Sequence, residues 1–208
     1  VMLSGVHPRA LEAMDGDVVA IVAAFLGEPA EPAVKSRLLI EVDGDAESCA
    51  RDAARVLKAL QELAPLDAAR AADPALRDKL WRGRRSISPA VYRASPAKRS
   101  EDLGVPRGKL PQAIAEIKAA GREEGVRVIA YGHAGDANMH VNFLYDPAVP
   151  GAGARVGKAV QRAVAIALEH GGTITHHHAV GRDHQPWYER ERSPLFGQAL
   201  GAVKRALD

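Results

Sequence analysis

The chain has 208 residues, of which 47% are hydrophobic and 26% charged, the proportions of an ordinary globular protein that can bury its own core. A net charge of +2, with no basic run interleaved with aromatics, argues against a nucleic-acid partner. The longest apolar run, residues 18–26, is too short to span a bilayer. The single cysteine, Cys49, excludes a disulfide framework and predicts a reducing, cytoplasmic location. Both ends look cut, so we expect a fragment of a longer protein.

The first third of the chain has alternating helical and extended patterns. Residues 8–27 carry apolar side chains at helical spacing, and an N-cap at Asp15 could restart the helix there. Residues 38–42 form a short β-compatible run that ends in an Asp-Gly-Asp turn. Residues 46–63 then present one apolar helical face. This part of the chain is therefore predicted as helix, strand and helix.

The rest of the chain adds more helices and two strands. A helix is predicted to start at Asp73-Pro74 and to run through Ile87, followed by a polar excursion over residues 93–108. Further helices are predicted from Pro111, over residues 154–169 and from about Pro186, with strands over residues 126–131 and 138–145. This order predicts an α+β fold with helices on one face of an antiparallel sheet.

The segment over residues 132–142 is rich in histidine and asparagine: Gly-His-Ala-Gly-Asp-Ala-Asn-Met-His-Val-Asn. In a strand that begins at Asn138, the side chains of Asn138, His140 and Asn142 share one face, and the apolar ones between them face the other. His133 precedes a glycine-containing turn that can bring its imidazole back near the start of this strand. Such imidazoles either share a metal ion or lie on a solvated sheet face, and spacing alone favours neither.

A second cluster, His176-His177-His178, lies in a segment bracketed by glycines. In an extended segment His176 and His178 point to one side and His177 to the other. A polar loop with hydrogen-bonded imidazoles is the structural alternative. Adjacent histidines are costly in a core, so the pattern favours binding or proton transfer.

A third candidate lies in the basic segment over residues 81–88. On a continuous helix Arg84 and Ser88 are four residues apart and share a face. A guanidinium and a hydroxyl on one face suit a carboxylate, which arginine can grip with two parallel hydrogen bonds. A solvated basic helix face is the commoner outcome, so these residues alone do not define a site.

Residues 132–142 resemble the signature Gly-His-x-Gly-Asp-Gly-Asn-x-His-x-Asn of FAD-linked oxidases, which include glycolate oxidase flavin subunits, D-lactate dehydrogenases and D-2-hydroxyglutarate dehydrogenases. Residues 171–181 are similar to that family's Gly-Gly-x-x-Ser-x-Glu-His-Gly-x-Gly segment, and residues 10–15, 39–44 and 101–106 follow in the family's order. The resemblance covers nearly the whole chain. It implies that residues 1–208 form the C-terminal domain, with a ferredoxin-like antiparallel sheet, and that the N-terminal FAD-binding domain is absent.

The resemblance also implies a function. The chain is expected to be the substrate-binding part of a dehydrogenase or oxidase that converts a D-2-hydroxy acid of the glycolate or D-lactate class to the 2-oxo acid. Hydride would pass to FAD, which the missing domain mainly holds, so the chain alone should be inactive. An iron–sulfur electron-transfer protein is a further expected partner, and the full complex would lie in the cytoplasm or peripherally at a membrane.

Site roles can be carried over position by position, as implied by the resemblance. A metal beside the substrate hydroxyl would lower the pKa of that hydroxyl, so that a base could act near neutral pH. The metal ligands would include His133 and His140, the base would be His178, and the substrate contacts would be Arg84, Ser88 and Asn142.

The chain departs from the family at His177, where the family has a glutamate ligand. A metal held by His133, His140 and His177 would see three imidazoles, a set that suits Zn better than Mn. The run of three histidines instead resembles alkylglycerone-phosphate synthases, flavoenzymes that use no metal. A metal-free enzyme of that type and a stand-alone metal- or ligand-binding module are therefore the alternatives.

Overall fold

The computed structural model describes residues 1–71, 73–174, 180–182 and 184–207. The chain forms two compact units. Unit 1 comprises Val1–Pro96 and Ile129–Asp136, and unit 2 comprises Ala97–Val128 and Ala137–Asp208. Among the helices in the described ranges, none has the length and apolarity needed to cross a bilayer.

Strands and helices account for most of the described residues. The strands are β1 (Ala10–Asp15), β2 (Ser36–Glu41), β3 (Ala97–Gly104), β4 (Arg127–His133) and β5 (Asn138–Tyr145). The helices are α1 (Gly16–Leu26), α2 (Ala46–Gln61), α3 (Pro74–Arg85), α4 (Ile87–Ala94), α5 (Leu110–Glu123), α6 (Ala152–Glu169), α7 (Gln185–Glu191) and α8 (Pro194–Leu207).

Unit 1 is built around β1, which pairs antiparallel with β2 along its whole length and with β4 at three positions. Helix α1 packs on β1, β2 and α4. The core of this unit is formed by the buried apolar face of α1 and by inward side chains of α4, among them Val18, Ile21, Val22, Ile87 and Val91.

Unit 2 is built around an antiparallel pair, β3 with β5, whose register aligns eight residues on each strand. Helix α6 packs on both strands and on α5. Its buried small and branched residues, such as Ala163 and Val164, form a core with Met139, Val141 and Phe143 of β5. Antiparallel pairing with helices packed on strands confirms the predicted α+β class.

The prediction of a helix from residue 8 is wrong for residues 10–15, which form β1. Leu11 and Met14 match a helical spacing, but in so short a run a strand fits as well. The structure selects the strand because β1 gains hydrogen-bonded partners on both sides. The restart at Asp15 is confirmed: its carboxylate accepts a hydrogen bond from the Val18 amide at 2.8 Å and caps α1.

The prediction of one continuous helix through Ile87 is also wrong. Helix α3 begins at Pro74 with Asp73 as its N-cap, as expected, but ends at Arg85. Helix α4 begins at Ile87 after a break at Ser86. Arg84 and Ser88 therefore belong to different helices, and the argument from a shared helix face does not hold.

The predicted polar excursion over residues 93–108 contains strand β3, so that prediction is wrong as well. Charged residues are poor strand formers in isolation. Here alternate side chains have partners: Ser100 and Asp102 lie opposite Asn142 and His140 on β5, and Glu101 is ion-paired with Arg99. The last predicted helix, from about Pro186, is divided into α7 and α8.

Candidate functional site

A buried carboxylate organises the polar cluster of unit 1. Glu12 lies directly opposite His133 in the β1–β4 register. Its Oε1 lies 2.6 Å from His133 Nδ1, and its Oε2 accepts a hydrogen bond of 2.6 Å from Arg84 Nε. Only 6% of Glu12 is exposed. One carboxylate thus joins the predicted metal-ligand histidine to the predicted substrate arginine.

Arg84 is held in a defined orientation. Besides the bond from Nε to Glu12, its guanidinium carbon lies 5.5 Å from the centre of the Tyr131 ring, within the range of a cation–π contact. In the described part of the chain, no group accepts a hydrogen bond from its terminal nitrogens. A guanidinium fixed through Nε in this way can present two parallel donors to a carboxylate. Ser88 is exposed on α4, and no hydrogen bond in the described ranges joins it to Arg84.

A second polar cluster lies on one face of the β3–β5 pair in unit 2. The register places Asp102 opposite His140 and Ser100 opposite Asn142. His140 Nδ1 lies 2.9 Å from Asp102 Oδ1, a contact that has the distance but not the direction of a hydrogen bond. The predicted placement of His140 and Asn142 on one strand face is consistent with this register.

Asn142 is fully buried and its amide is fixed. Its Oδ1 accepts hydrogen bonds from Ser100 Oγ at 2.7 Å and from Lys98 Nζ at 3.0 Å, and its Nδ2 donates to the carbonyl of His140. Burial lowers the pKa of Lys98 below its ordinary value of 10.5, because desolvation disfavours the ammonium. The face therefore carries a cation that is only partly solvated.

Sequence reasoning missed Glu12, Lys98 and Asp102. Glu12 is separated from its two partners by 72 and 121 residues, so no local spacing could link them. Lys98 and Asp102 were missed because strand β3 was not predicted. The available signal was their alternation with Ser100, which in a strand places all three side chains on one face.

The second histidine cluster, His176 to His178, lies outside the residues that the structure describes, but its flanks can be followed. Thr173 pairs with Gly104 at the end of β3 through two backbone hydrogen bonds, of 2.8 and 3.1 Å. A Cβ at Gly172 would collide with the carbonyl oxygen of Gly104, which explains why glycine stands there. The Glu191 carboxylate of α7 accepts from the Thr173 hydroxyl and the Ile174 amide. The N-terminal flank of the cluster is thus held to β3 and α7.

The C-terminal flank is held by His184. Its Nδ1 lies 2.9 Å from the carbonyl oxygen of Val180, and its Nε2 lies 2.6 Å from Glu101 Oε2. The side chain of Glu101 is 1% exposed and is also bonded to Arg99. The carbonyl of Val180 and the carboxylate of Glu101 thus hold the His184 ring through both of its nitrogens.

His133 in unit 1 and His140 in unit 2, each described by itself, carry imidazole nitrogens of the kind that bind metal ions. His133 has its Nδ1 hydrogen-bonded to the buried Glu12 carboxylate, an arrangement by which proteins orient the opposite nitrogen toward a metal ion. The Nδ1 of His140 lies near the Asp102 carboxylate without that hydrogen-bond geometry. Within the described ranges, no group of three or more histidine, cysteine or acidic side chains is placed to hold a metal. The third predicted ligand, His177, lies outside those ranges, as does the predicted base, His178.

Comparison with known proteins gives a consistent result. The family "FAD linked oxidases, C-terminal domain" matches residues 1–208. Glycolate oxidase subunit GlcD of Escherichia coli (strain K12) is 32% identical over 185 residues, which are 88% of this chain and 37% of that protein. D-lactate dehydrogenase of Anaerostipes hadrus is 26% identical over 97% of this chain and 44% of its own length.

A third relative is D-2-hydroxyglutarate dehydrogenase of Stutzerimonas stutzeri (strain A1501), which is 32% identical over 62% of this chain and 28% of its own length. The chain spans less than half the length of these curated relatives. The resemblance inferred from the motifs is confirmed by the match over the full length: this chain belongs to the family of FAD linked oxidase C-terminal domains.

Proposed function

We propose that this chain is the substrate-binding part of an FAD-dependent oxidoreductase that converts a small D-2-hydroxy acid, of the glycolate or D-lactate class, to the 2-oxo acid. Family membership supports the reaction class, and the names of the relatives support the substrate class. The observation that carries the proposal is the orientation of Arg84. Its guanidinium is fixed by Glu12 and Tyr131 and presents its terminal nitrogens as a carboxylate receptor.

The chain's own residues have distinct roles in this proposal. Arg84 binds the substrate carboxylate. The resemblance gives Asn142 a substrate contact, and its buried amide is held by Ser100 and Lys98. His178 accepts the proton of the substrate hydroxyl while the Cα–H bond breaks and its electron pair leaves as hydride, so that the 2-oxo group forms. The resemblance also gives a contact role to Ser88.

His133, His140 and His177 are the proposed ligands of a divalent metal. Bound FAD would supply the hydride acceptor, and a bound metal a Lewis acid that lowers the pKa of the substrate hydroxyl. Three neutral imidazoles leave the full charge of the ion uncompensated, and this nitrogen set favours Zn over Mn.

The remaining parts of the proposal concern the whole protein. An N-terminal FAD-binding domain supplies the cofactor, so the isolated chain neither holds FAD nor turns over. The coverage of the relatives, 37% to 44% of their length, supports a larger protein. An iron–sulfur protein as electron acceptor and a location in the cytoplasm, or peripherally at a membrane, complete the proposal. The lone Cys49 supports the reducing compartment.

The proposed function is tested by activity of the full-length protein with glycolate, D-lactate and D-2-hydroxyglutarate. We expect turnover of at least one of them, and we expect Arg84→Met to raise its KM by about 10- to 100-fold, because hydrogen bonds to charged groups contribute about 1.5–3 kcal/mol each. Arg77→Met is the matched control: Arg77 lies on the same helix and pairs with a different carboxylate, that of Glu41. Absence of turnover, or equal effects of the two variants, would contradict the proposal.

The metal assignment is tested by elemental analysis of the full-length protein, purified without a nickel column. We expect about one Zn per chain, and loss of most of it in His133→Ala, His140→Ala and His177→Ala. His170→Ala is the control, because His170 pairs with Glu116 of α5 at 2.8 Å and has no proposed metal role. A metal-free, active protein would instead favour the synthase-like alternative.

A further inference from the structure

We infer that Glu12 is a positioning residue that sets the ring orientation and tautomer of His133 and the orientation of Arg84 at the same time. The inference rests on the proposed function, since it assigns to one carboxylate the geometry of a metal ligand and of a substrate receptor. Both partners belong to unit 1, and both contacts measure 2.6 Å.

Strand pairing holds the backbone of Glu12 in place, independently of its side-chain contacts. It lies in the middle of β1, which is paired on one side with β2 and on the other with β4. Its opposite residue on β4 is His133 itself, and its opposite residue on β2 is Leu39. With 6% of the residue exposed, water cannot replace a lost partner at low cost. The carboxylate therefore keeps both oxygens in place.

The two carboxylate oxygens of Glu12 contact different partners. Arg84 Nε always carries hydrogen, so Oε2 is committed to accepting from it. Oε1 can only accept as well, so the hydrogen of the His133 contact lies on Nδ1. A neutral His133 in this tautomer has its lone pair on Nε2, the nitrogen that would coordinate a metal. Ring orientation and donor nitrogen are thus set by one residue of β1.

Glutamine at position 12 could not accept a hydrogen bond from both partners. Its side chain has one acceptor and one donor in place of two acceptors. If the amide oxygen accepts from Arg84, the amide nitrogen faces His133 Nδ1 and favours the tautomer with hydrogen on Nε2. In that tautomer Nε2 has no lone pair with which to bind a metal. If the amide oxygen serves His133, Arg84 loses its acceptor. Because the amide can take either orientation, glutamine weakens both the metal ligand and the substrate receptor.

Unit 1 supplies a matched control in Glu41. This carboxylate lies at the end of β2, is 15% exposed at its side chain, and accepts from Trp81 Nε1 at 2.7 Å and Arg77 Nε at 3.2 Å. Like Glu12, it joins a strand to α3 through an arginine. Its partners in the described ranges include no histidine, so Glu41→Gln reproduces the loss of a strand-to-helix ion pair without touching the proposed site.

The experiment uses the full-length protein, with melting temperature recorded for every variant. Zn²⁺ affinity is measured by competition with a chromophoric chelator, and KM with the best of the three hydroxy acids. We expect Glu12→Gln to weaken Zn²⁺ binding about 10- to 100-fold, the usual cost of losing an outer-shell partner. We expect its KM to rise about tenfold, and we expect Glu41→Gln to change neither quantity.

A double variant separates positioning from a general structural effect. If Glu12 acts on substrate through Arg84, Glu12→Gln raises KM in the wild type but not in an Arg84→Met background. Additive effects would overturn the inference. Glu12→Asp, which keeps the charge but is one methylene shorter, replaces Glu12→Gln if that variant fails to fold, with the same expected direction.

The outcome also distinguishes this inference from the proposed function. If Arg84→Met and His133→Ala impair binding while Glu12→Gln behaves like Glu41→Gln, only the positioning role fails. If Arg84→Met and His133→Ala also leave KM and Zn²⁺ affinity unchanged, the proposed site itself is wrong.

Discussion

Replacing His178 with alanine in the full-length protein is expected to lower kcat by about 10²- to 10⁴-fold, the usual contribution of a positioned general base. In the proposed reaction the substrate hydroxyl loses its proton as hydride leaves Cα, and alanine offers no acceptor for that proton. KM should change less than kcat, because the proposed receptor for the substrate carboxylate is Arg84 and not His178. Steady-state kinetics with the best hydroxy acid measures both.

His176→Ala is the control for this prediction, because it removes an imidazole from the same short segment without removing the proposed base. It should leave kcat within a few-fold of the wild type. A loss of similar size in both variants would mean that the run of histidines acts as a unit. An unchanged kcat in His178→Ala would show that His178 is not the base.

Much of the secondary structure was predictable because capping and turn residues act locally. Asp73 and Asp15 accept hydrogen bonds from amides three residues later, as an N-cap does wherever it occurs. The errors fall where tertiary pairing overrides local preference. Strand β3 is stabilised by the Arg99–Glu101 ion pair and by polar partners on β5, and the partners on β5 are not visible in the pattern of residues 97–104.

The candidate site was predictable where its residues lie close in sequence. The alternation over residues 138–142 placed His140 and Asn142 on one face, as the strand register has them. The pairing of Arg84 with Glu12 was not predictable, because the two residues lie 72 positions apart and no local spacing links them. The same holds for Glu101 and His184, which are 83 residues apart.

Asp15→Ala is expected to lower the free energy of unfolding by about 2–4 kcal/mol, because one carboxylate serves two separate backbone amides. Its Oδ1 accepts from the Val18 amide and caps α1, and its Oδ2 accepts from the Ala130 amide of β4 at 2.9 Å. Ala130 is completely buried, so alanine at position 15 leaves that amide with neither protein nor water as acceptor. Chemical denaturation of the full-length protein measures the loss.

Two variants show whether the hydrogen bond from the Ala130 amide accounts for the loss of stability in Asp15→Ala. Asp73→Ala removes an N-cap whose carboxylate, among the described residues, accepts from the Leu76 amide alone and in an exposed position, so it should cost less than Asp15→Ala. Asp15→Asn keeps one acceptor oxygen but puts a donor in place of the other. Its free energy of unfolding should therefore lie between those of the wild type and Asp15→Ala. Equal losses in Asp15→Ala and Asp73→Ala would show that the buried amide of Ala130 finds another acceptor. If the free energy of unfolding of Asp15→Asn is intermediate and α1 stays intact, the larger share of the cost arises at the junction between β1 and β4. These are the strands that hold Glu12 and His133 opposite each other.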